Sequence, residues 1–147
     1  MNLDMVPDIT MRGQDDPHGR SAVERPPTVG QLATRIHDLA ARPGDWWALV
    51  RFAPDGPVRV RLDEVDGIQL WLTTWPPGHR TDVHDHAGTE VSTVIAGELA
   101  EVRIAADGVT ERPLRANRVR VHGGGRTHEL TNPGPAYAIS LHANLAP

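Results

Sequence analysis

The sequence contains no cysteine, and all 15 of its basic residues are arginine. Without cysteine there can be no disulfide, no thiolate nucleophile and no sulfur ligand for a metal. Without lysine there can be no Schiff base with a carbonyl substrate. Histidine, carboxylate, arginine and hydroxyl groups therefore remain to carry any chemistry.

The chain also lacks long apolar runs and a strong charge of either sign. No stretch approaches the roughly 20 apolar residues that span a bilayer, and the acidic first residues lack the apolar centre of a secretory signal. A net charge of −4, with acidic and basic residues mixed along the chain, gives no pattern for binding nucleic acid or an anionic membrane. We therefore expect a cytoplasmic protein whose partner is a small molecule, with no nucleic acid or membrane partner.

Length and local composition indicate one domain. A chain of 147 residues can bury one core but not two independent ones. Residues 1–27 are polar and show no periodicity, which predicts a flexible arm. Residues 28–147 are predicted to form the domain, with a helix over 28–42 and a barrel over 46–145.

The predicted helix and strands rest on local signals. Thr28 and Gln31 have the spacing of a capping box, and three apolar residues then share one helical face: Leu32, Ile36 and Leu39. From Trp46 onward, short β-branched and apolar runs alternate with turn signals rich in Gly, Pro, Asn and Asp, which predicts about eight strands. Regularly spaced strands without helices between them favour a sandwich or closed barrel, for which the jelly roll is one solution.

Six of the eight histidines lie between positions 79 and 142. His84 and His86 are two residues apart, so on a strand both would point to the same face and could share a metal. An isolated His-x-His pair fits two solvated histidines equally well. The surrounding residues must therefore decide between these interpretations.

The surrounding spacing is that of the cupin superfamily. Gly78, His84, His86, Glu90 and Gly97 match every defined position of the first cupin motif. His128 and Asn132 match the end of the second motif, whose Pro-x-Gly is replaced here by three glycines, 123–125, and whose opening glycine is replaced by Asn117. The sequence thus resembles a metal-binding cupin, which implies an all-β cupin fold, the double-stranded β-helix (jelly-roll) barrel, with one short N-terminal helix.

More specifically, the strings WPPGHRTDVHDHAGTE, VIAGELAE and THELTNPGPAYAISLHA resemble the cysteine dioxygenase-like (thiol dioxygenase) branch of the cupins. This resemblance implies a ferrous iron that adds dioxygen to a small thiol and gives a sulfinate. It also implies that His84, His86 and His128 are the metal ligands. Ser140 and His142 would then form a hydrogen-bonded relay beside the metal.

The resemblance further implies an arginine on an early strand that binds the substrate carboxylate. Counting back from Trp75, this position falls on Arg59, with Arg61 on the same strand face as the fallback. A guanidinium suits a carboxylate because it can bind both oxygens at once. The alternative is that both arginines are solvated on an edge strand, since arginine is mostly exposed.

Two departures from the family affect the chemistry. Asn144 stands where the family has the relay tyrosine, and Glu90 stands where it has cysteine or glycine. Glu90 restores the carboxylate of most metal cupins and is a candidate fourth ligand; otherwise it is a surface glutamate or an arginine partner. If Glu90 binds, fewer of the roughly six positions on the metal remain for substrate and dioxygen.

We therefore predict a metal-dependent cupin oxygenase, a non-haem Fe(II) dioxygenase acting on a small thiol or amino acid. Nitrogen and oxygen ligands also permit Mn, Ni or Zn. The alternatives are a metal cupin of another reaction class (isomerase, lyase or oxidative rearrangement) and a non-catalytic cupin that binds a metabolite or metal. The pairing habit of cupins favours a homodimer, and His79 and His122 are interpreted as ordinary polar residues.

Overall fold

The structure, a computed structural model, describes residues 25–81, 84–85, 88–123 and 127–146, and for His84, Asp85 and Thr127 it describes the backbone alone. Most of the predicted N-terminal arm, residues 1–24, therefore lies outside the described residues. Within them, no helix is long and apolar enough to cross a membrane.

The chain begins with one amphipathic helix, α1 (Val29–Ala40). Thr28 caps it through the predicted capping box, since its hydroxyl accepts from the Gln31 backbone and the Gln31 side chain accepts from the Thr28 backbone. The helix ends two residues before the predicted boundary, and Pro43 opens a 3-10 turn (Pro43–Asp45) that is followed by a second one (Trp47–Leu49).

The rest of the described chain forms nine strands, close to the predicted eight. They are β1 (Val58–Val65), β2 (Ile68–Trp75), β3 (His84–Asp85), β4 (Glu90–Ala96), β5 (Leu99–Ala105), β6 (Gly108–Leu114), β7 (Arg120–His122), β8 (Thr127–Thr131) and β9 (Ala138–Leu145).

Two antiparallel sheets face each other. One has the order β1-β2-β9-β4-β7 and the other β3-β8-β5-β6. Apolar side chains from both sheets meet in an inner core formed by Trp75, Val94, Leu99, Leu114, Leu130 and Ala138. The predicted all-β fold with one N-terminal helix is confirmed.

Helix α1 covers the outer face of the five-stranded sheet, where it packs against β4 and β9. Its buried residues join an outer core that includes Leu72, Val91, Leu141 and Ala143. Side chains alternate along a strand, so the neighbours of these residues point the other way. We call the opposite side of this sheet, which faces the second sheet, the inner face.

Gly97, the last glycine of the first cupin motif, sits in the turn between β4 and β5 with φ +78°. A Cβ atom there would lie 2.6 Å from the Tyr137 carbonyl oxygen and 2.7 Å from Ala138 Cα. We expect Gly97→Ala to lower the free energy of unfolding by about 3 kcal/mol, because strain and overlap add. Denaturant unfolding measures this.

Gly78→Ala is the matched control. Gly78 also has a positive φ, +75°, but a Cβ atom there meets nothing within 4 Å. It should cost only the backbone strain, about 1 kcal/mol. Equal losses in the two variants would show that close packing at Gly97 contributes nothing.

Candidate metal centre

Polar side chains occupy the inner face, where an apolar core would be expected from burial alone. In the strand register, Glu90 on β4 pairs with His122 on β7 and with Asn144 on β9. Ser92, two residues along, pairs with His142. Directly paired residues share a face, so these polar groups form one patch that is covered by the second sheet.

A glutamate from the facing sheet joins this patch. Glu101 on β5, only 2% exposed, receives hydrogen bonds at Oε2 from Nδ1 of His122 (3.1 Å) and Nδ1 of His128 (2.9 Å). Its other oxygen, Oε1, lies 3.2 Å from Nε of Arg103 and 3.6 Å from an Nη of Arg112. One buried carboxylate therefore links β7 of one sheet with β8 and β6 of the other.

These contacts fix the ionisation of Glu101. The hydrogen bonds from His122 and then His128 are the largest causes that hold the pKa of this carboxyl well below its usual range, against the opposing effect of burial. A charged carboxylate only accepts, so both imidazoles must carry hydrogen on Nδ1. In a neutral ring the lone pair then lies on Nε2.

The tautomer set by Glu101 leaves Nε2 as the acceptor nitrogen of each ring. In His122, Nε2 lies 3.2 Å from the Ser92 hydroxyl, which can donate to it. Both ring nitrogens of His122 are therefore within hydrogen-bond distance of protein groups. His128 has Nε2 as the nitrogen that can bind a metal in this tautomer, with Glu101 as the outer partner that orients the ring.

A second hydrogen-bonded chain runs across the inner face. The Trp75 indole donates to the Ser140 hydroxyl (2.8 Å), Ser140 lies 2.7 Å from Nε2 of His142, and Nδ1 of His142 lies 3.0 Å from Oε2 of Glu90. Because an indole N–H can only donate, a consistent assignment has Ser140 donating to His142 and His142 donating to Glu90. Every donor in this chain then points toward the Glu90 carboxylate.

Asn144, at the position where the resemblance predicts a tyrosine, takes part in neither of these two hydrogen-bonded series. Its Oδ1 accepts from the Trp71 indole at 2.8 Å, and its amide nitrogen donates to Gln69. The side chain that His142 contacts through Nδ1 is therefore Glu90 on β4, and not the residue at position 144.

The predicted ligands are only partly described. The backbone of His84 pairs with that of His128 in the strand register, which brings β3 beside the third predicted ligand. His86 lies outside the described residues. Glu90 is buried on the inner face with Oε2 at His142. Metal ligation by these four residues stays a prediction.

The two predicted substrate arginines lie on β1, an edge of the five-stranded sheet. Arg59 pairs with Thr73 and Arg61 with Trp71 in the register, so both share the inner face, but both are exposed. The Arg59 guanidinium lies 4.2 Å from the centre of the Trp71 ring, and Arg61 pairs with Glu64 at 3.4 Å. Substrate binding by either stays a prediction.

Sequence reasoning missed Glu101. His122, interpreted as an ordinary polar residue, is buried between Ser92 and Glu101. A signal for Glu101 was present: it alternates with Leu99 on β5, so a carboxylate falls on the face that carries the inner core. A charge at such a position needs partners.

The donors fit a divalent transition metal, which neutral imidazole and carboxylate suit. Ligand atoms of Glu101, His122 and His128 lie within 4.8 Å of one another, so this group could itself hold an ion. Arg103 and Arg112 beside Glu101 would repel a dication there. In the tautomer that Glu101 sets, a metal ligated by His128 would bind at Nε2, with Glu101 behind the ring.

A family model for cysteine dioxygenase type I matches residues 28–147. The chain belongs to this family. The expected family resemblance is therefore confirmed. No curated protein sequence matches the chain significantly.

Solved structures confirm the cupin fold. A cupin superfamily protein from Desulfitobacterium hafniense superposes with a TM-score of 0.58 at 14% identity, covering 70% of this chain and 89% of that one. A protein from Thermus thermophilus gives 0.59 at 20% identity, covering 70% and 96%. Oxalate oxidase in complex with the substrate analogue glycolate gives 0.52 at 23%, covering 62% of this family member but only 51% of oxalate oxidase. At these identities the likeness establishes the fold alone.

Proposed function

We propose that the protein is a metal-dependent dioxygenase that oxidises a small thiol or amino acid between its two sheets. The observation that carries the proposal is the buried His128 ring, oriented through Nδ1 by the ionised Glu101. Membership of the cysteine dioxygenase type I family supports the reaction class.

In this proposal His84, His86 and His128 hold a ferrous ion, with Glu90 as a fourth ligand; manganese, nickel and zinc are the other metals that the donors permit. A ferrous ion bound there supplies the redox chemistry by which dioxygen reacts with a thiol. With a thiol substrate the O–O bond breaks and two S–O bonds form. The sulfur loses four electrons to dioxygen, and a sulfinate results.

The residues of the chain position these reactants. Glu101 fixes the orientation and tautomer of His128. The Ser140–His142–Glu90 chain is suited to hold or accept a proton at Glu90 Oε2, since its donors all point there. An arginine on the inner face would hold the acidic group of the substrate, and sequence resemblance assigns this role to Arg59.

One observation favours a second candidate, a metal cupin of another reaction class. The proton chain from His142 ends on a carboxylate, Glu90, and Asn144 is occupied by Trp71. A carboxylate beside a metal is a suitable general base for an isomerase or lyase. Turnover of a thiol-free substrate without oxygen consumption would support this candidate.

Oxygen uptake by the iron-loaded protein tests the leading proposal. We expect uptake with at least one member of a panel of L-cysteine, cysteamine and 3-mercaptopropionate, with about one dioxygen consumed per sulfinate formed. Thiol-free amino acids, and protein loaded with zinc, serve as controls. Protein that retains iron but consumes no oxygen with any thiol would contradict thiol dioxygenation.

A further inference from the structure

A cluster of arginines lies where β5 and β6 of one sheet face β7 of the other, far from β1. Arg120 on β7 pairs with Ser92 in the strand register, so it shares the inner face with His122. Arg112 pairs with Glu101, and Arg103 pairs with His128. Three guanidinium groups are therefore placed around the residues of the candidate metal centre.

The charges of this cluster do not balance. Arg103 and Arg112 both lie beside the single carboxylate of Glu101, which also binds two histidines. Arg120 is partly buried, and among the described residues it forms neither a hydrogen bond nor an ion pair. Three guanidinium groups thus lie around the Glu101 carboxylate. A partly buried cation that shares its nearest carboxylate with two other arginines has a free-energy cost that a bound anion would offset.

Nearby acidic residues do not supply the missing counter-charge. Glu111 and Glu129 both pair with Val102, so they lie on the opposite face of the four-stranded sheet, and Glu129 binds Arg80. Glu90 is a further carboxylate on the inner face, where its Oε2 lies at His142, and within the described part of the chain no ion pair joins it to Arg120.

The position of Arg120 also suits a ligand held at the metal centre better than that of Arg59 does. β1 and β7 are the opposite edges of the five-stranded sheet, four strand spacings apart, or about 19 Å along the sheet. Arg120 lies only two residues from His122. A small acid has its acidic group a few bonds from its reacting atom, so it could span from His128 to Arg120 more readily than to β1.

We infer that Arg120, with Arg112 and Arg103 beside it, binds the acidic group of the substrate and selects small acids over neutral or cationic thiols. This inference rests on the proposed function for the identity of the substrate, and it replaces Arg59 as the carboxylate-binding residue. An arginine fork recognises a carboxylate through paired hydrogen bonds, whereas lysine would supply charge alone.

The test is anaerobic binding of 3-mercaptopropionate and cysteamine to the iron-loaded full chain, followed by absorption spectroscopy or calorimetry. Arg120→Gln should weaken binding of the acid at least tenfold and leave cysteamine within twofold. Arg120→Lys should restore part of the affinity for the acid. Arg118→Gln is the matched control, because Arg118 is an exposed arginine on the same segment. It should change neither ligand more than twofold.

Three results would overturn the inference: an equal loss in Arg118→Gln, a loss confined to Arg59→Gln, or no binding of the acid by the wild type. Thermal unfolding of each variant excludes misfolding as the cause of a loss. Binding that depends on Arg120 without oxygen uptake would contradict the proposed function but not this inference. If Arg120→Gln leaves oxygen uptake with the acid unchanged, that result would contradict this inference but not the proposed function.

Discussion

Replacing Glu101 by glutamine is expected to destabilise the fold by about 3–5 kcal/mol, the usual effect of removing one partner from a buried ionic network. The same substitution should weaken metal binding roughly 10- to 100-fold, the usual effect of removing the outer partner of a ligand. The carboxylate accepts from His122 and His128 at Oε2 and from Arg103 at Oε1, which also lies 3.6 Å from Arg112. The glutamine amide has one oxygen that accepts and one NH2 group that donates. Either the histidines or the arginines would then have their N–H groups directed at the NH2 group, where no hydrogen bond can form. A change of tautomer in His128 would place hydrogen on Nε2, where it blocks metal binding.

The effect should depend on pH, with a sign set by the lowered pKa of Glu101. A carboxyl whose pKa is lower in the folded state stabilises the fold above its unfolded pKa of about 4.3 and loses this contribution as pH falls below that value. Glutamine cannot take up the proton. The difference in unfolding free energy between wild type and variant should therefore be largest near neutral pH and shrink by up to about 1.4 kcal/mol per pH unit below about pH 4.

Urea unfolding at several pH values, with a chelator present, measures the stability part of this prediction, and metal titration measures the other. Glu111→Gln is the matched control, because Glu111 is an exposed glutamate on β6 and should change stability by less than about 0.5 kcal/mol. If both variants behave alike, Glu101 does not organise the centre.

The second large effect concerns His128. We expect His128→Ala to reduce bound metal to less than about a tenth per chain and to reduce oxygen uptake at least about 1000-fold, since the substitution removes a ligand of the proposed centre. His122→Gln should keep near-stoichiometric metal, because His122 uses both ring nitrogens on Glu101 and Ser92. It should lower stability by about 2 kcal/mol through its altered buried hydrogen bonds.

Metal analysis after loading and gel filtration distinguishes two arrangements. Loss of metal in both variants would place the ion within the Glu101–His122–His128 group itself, with arginines beside it. Retention of metal in His128→Ala would remove this residue from the ligand set. The unfolding midpoint of each variant controls for loss of structure.

Sequence predicted the features that depend on local signals. The cap at Thr28 and the apolar face of α1 involve residues within a few positions of each other, so spacing alone identifies them. The turn at Gly97 likewise needs only the backbone preference of glycine. Ser140 and His142 were named by resemblance, and they lie within hydrogen-bond distance of each other; their role as a relay stays a prediction.

The Glu101 network was not predicted because it depends on which distant strands face each other. Glu101 on β5, His122 on β7 and His128 on β8 come together only through the pairing of two sheets. Alternation on β5 places Glu101 on the face of the core but does not name its partners. Arg120 was not singled out from the sequence for the same reason, because its neighbours follow from the register of β7 against β4.

The two faces of β9 serve different purposes. Leu141 and Ala143 pack beneath α1, whereas Ser140 and His142 lie in the pocket. A substitution at an inward position therefore alters the chemistry of the pocket without disturbing the packing that anchors the helix. This separation lets a lineage explore new substrates through alternate residues of one strand while its folding determinants stay fixed, a basis for the evolvability of the scaffold.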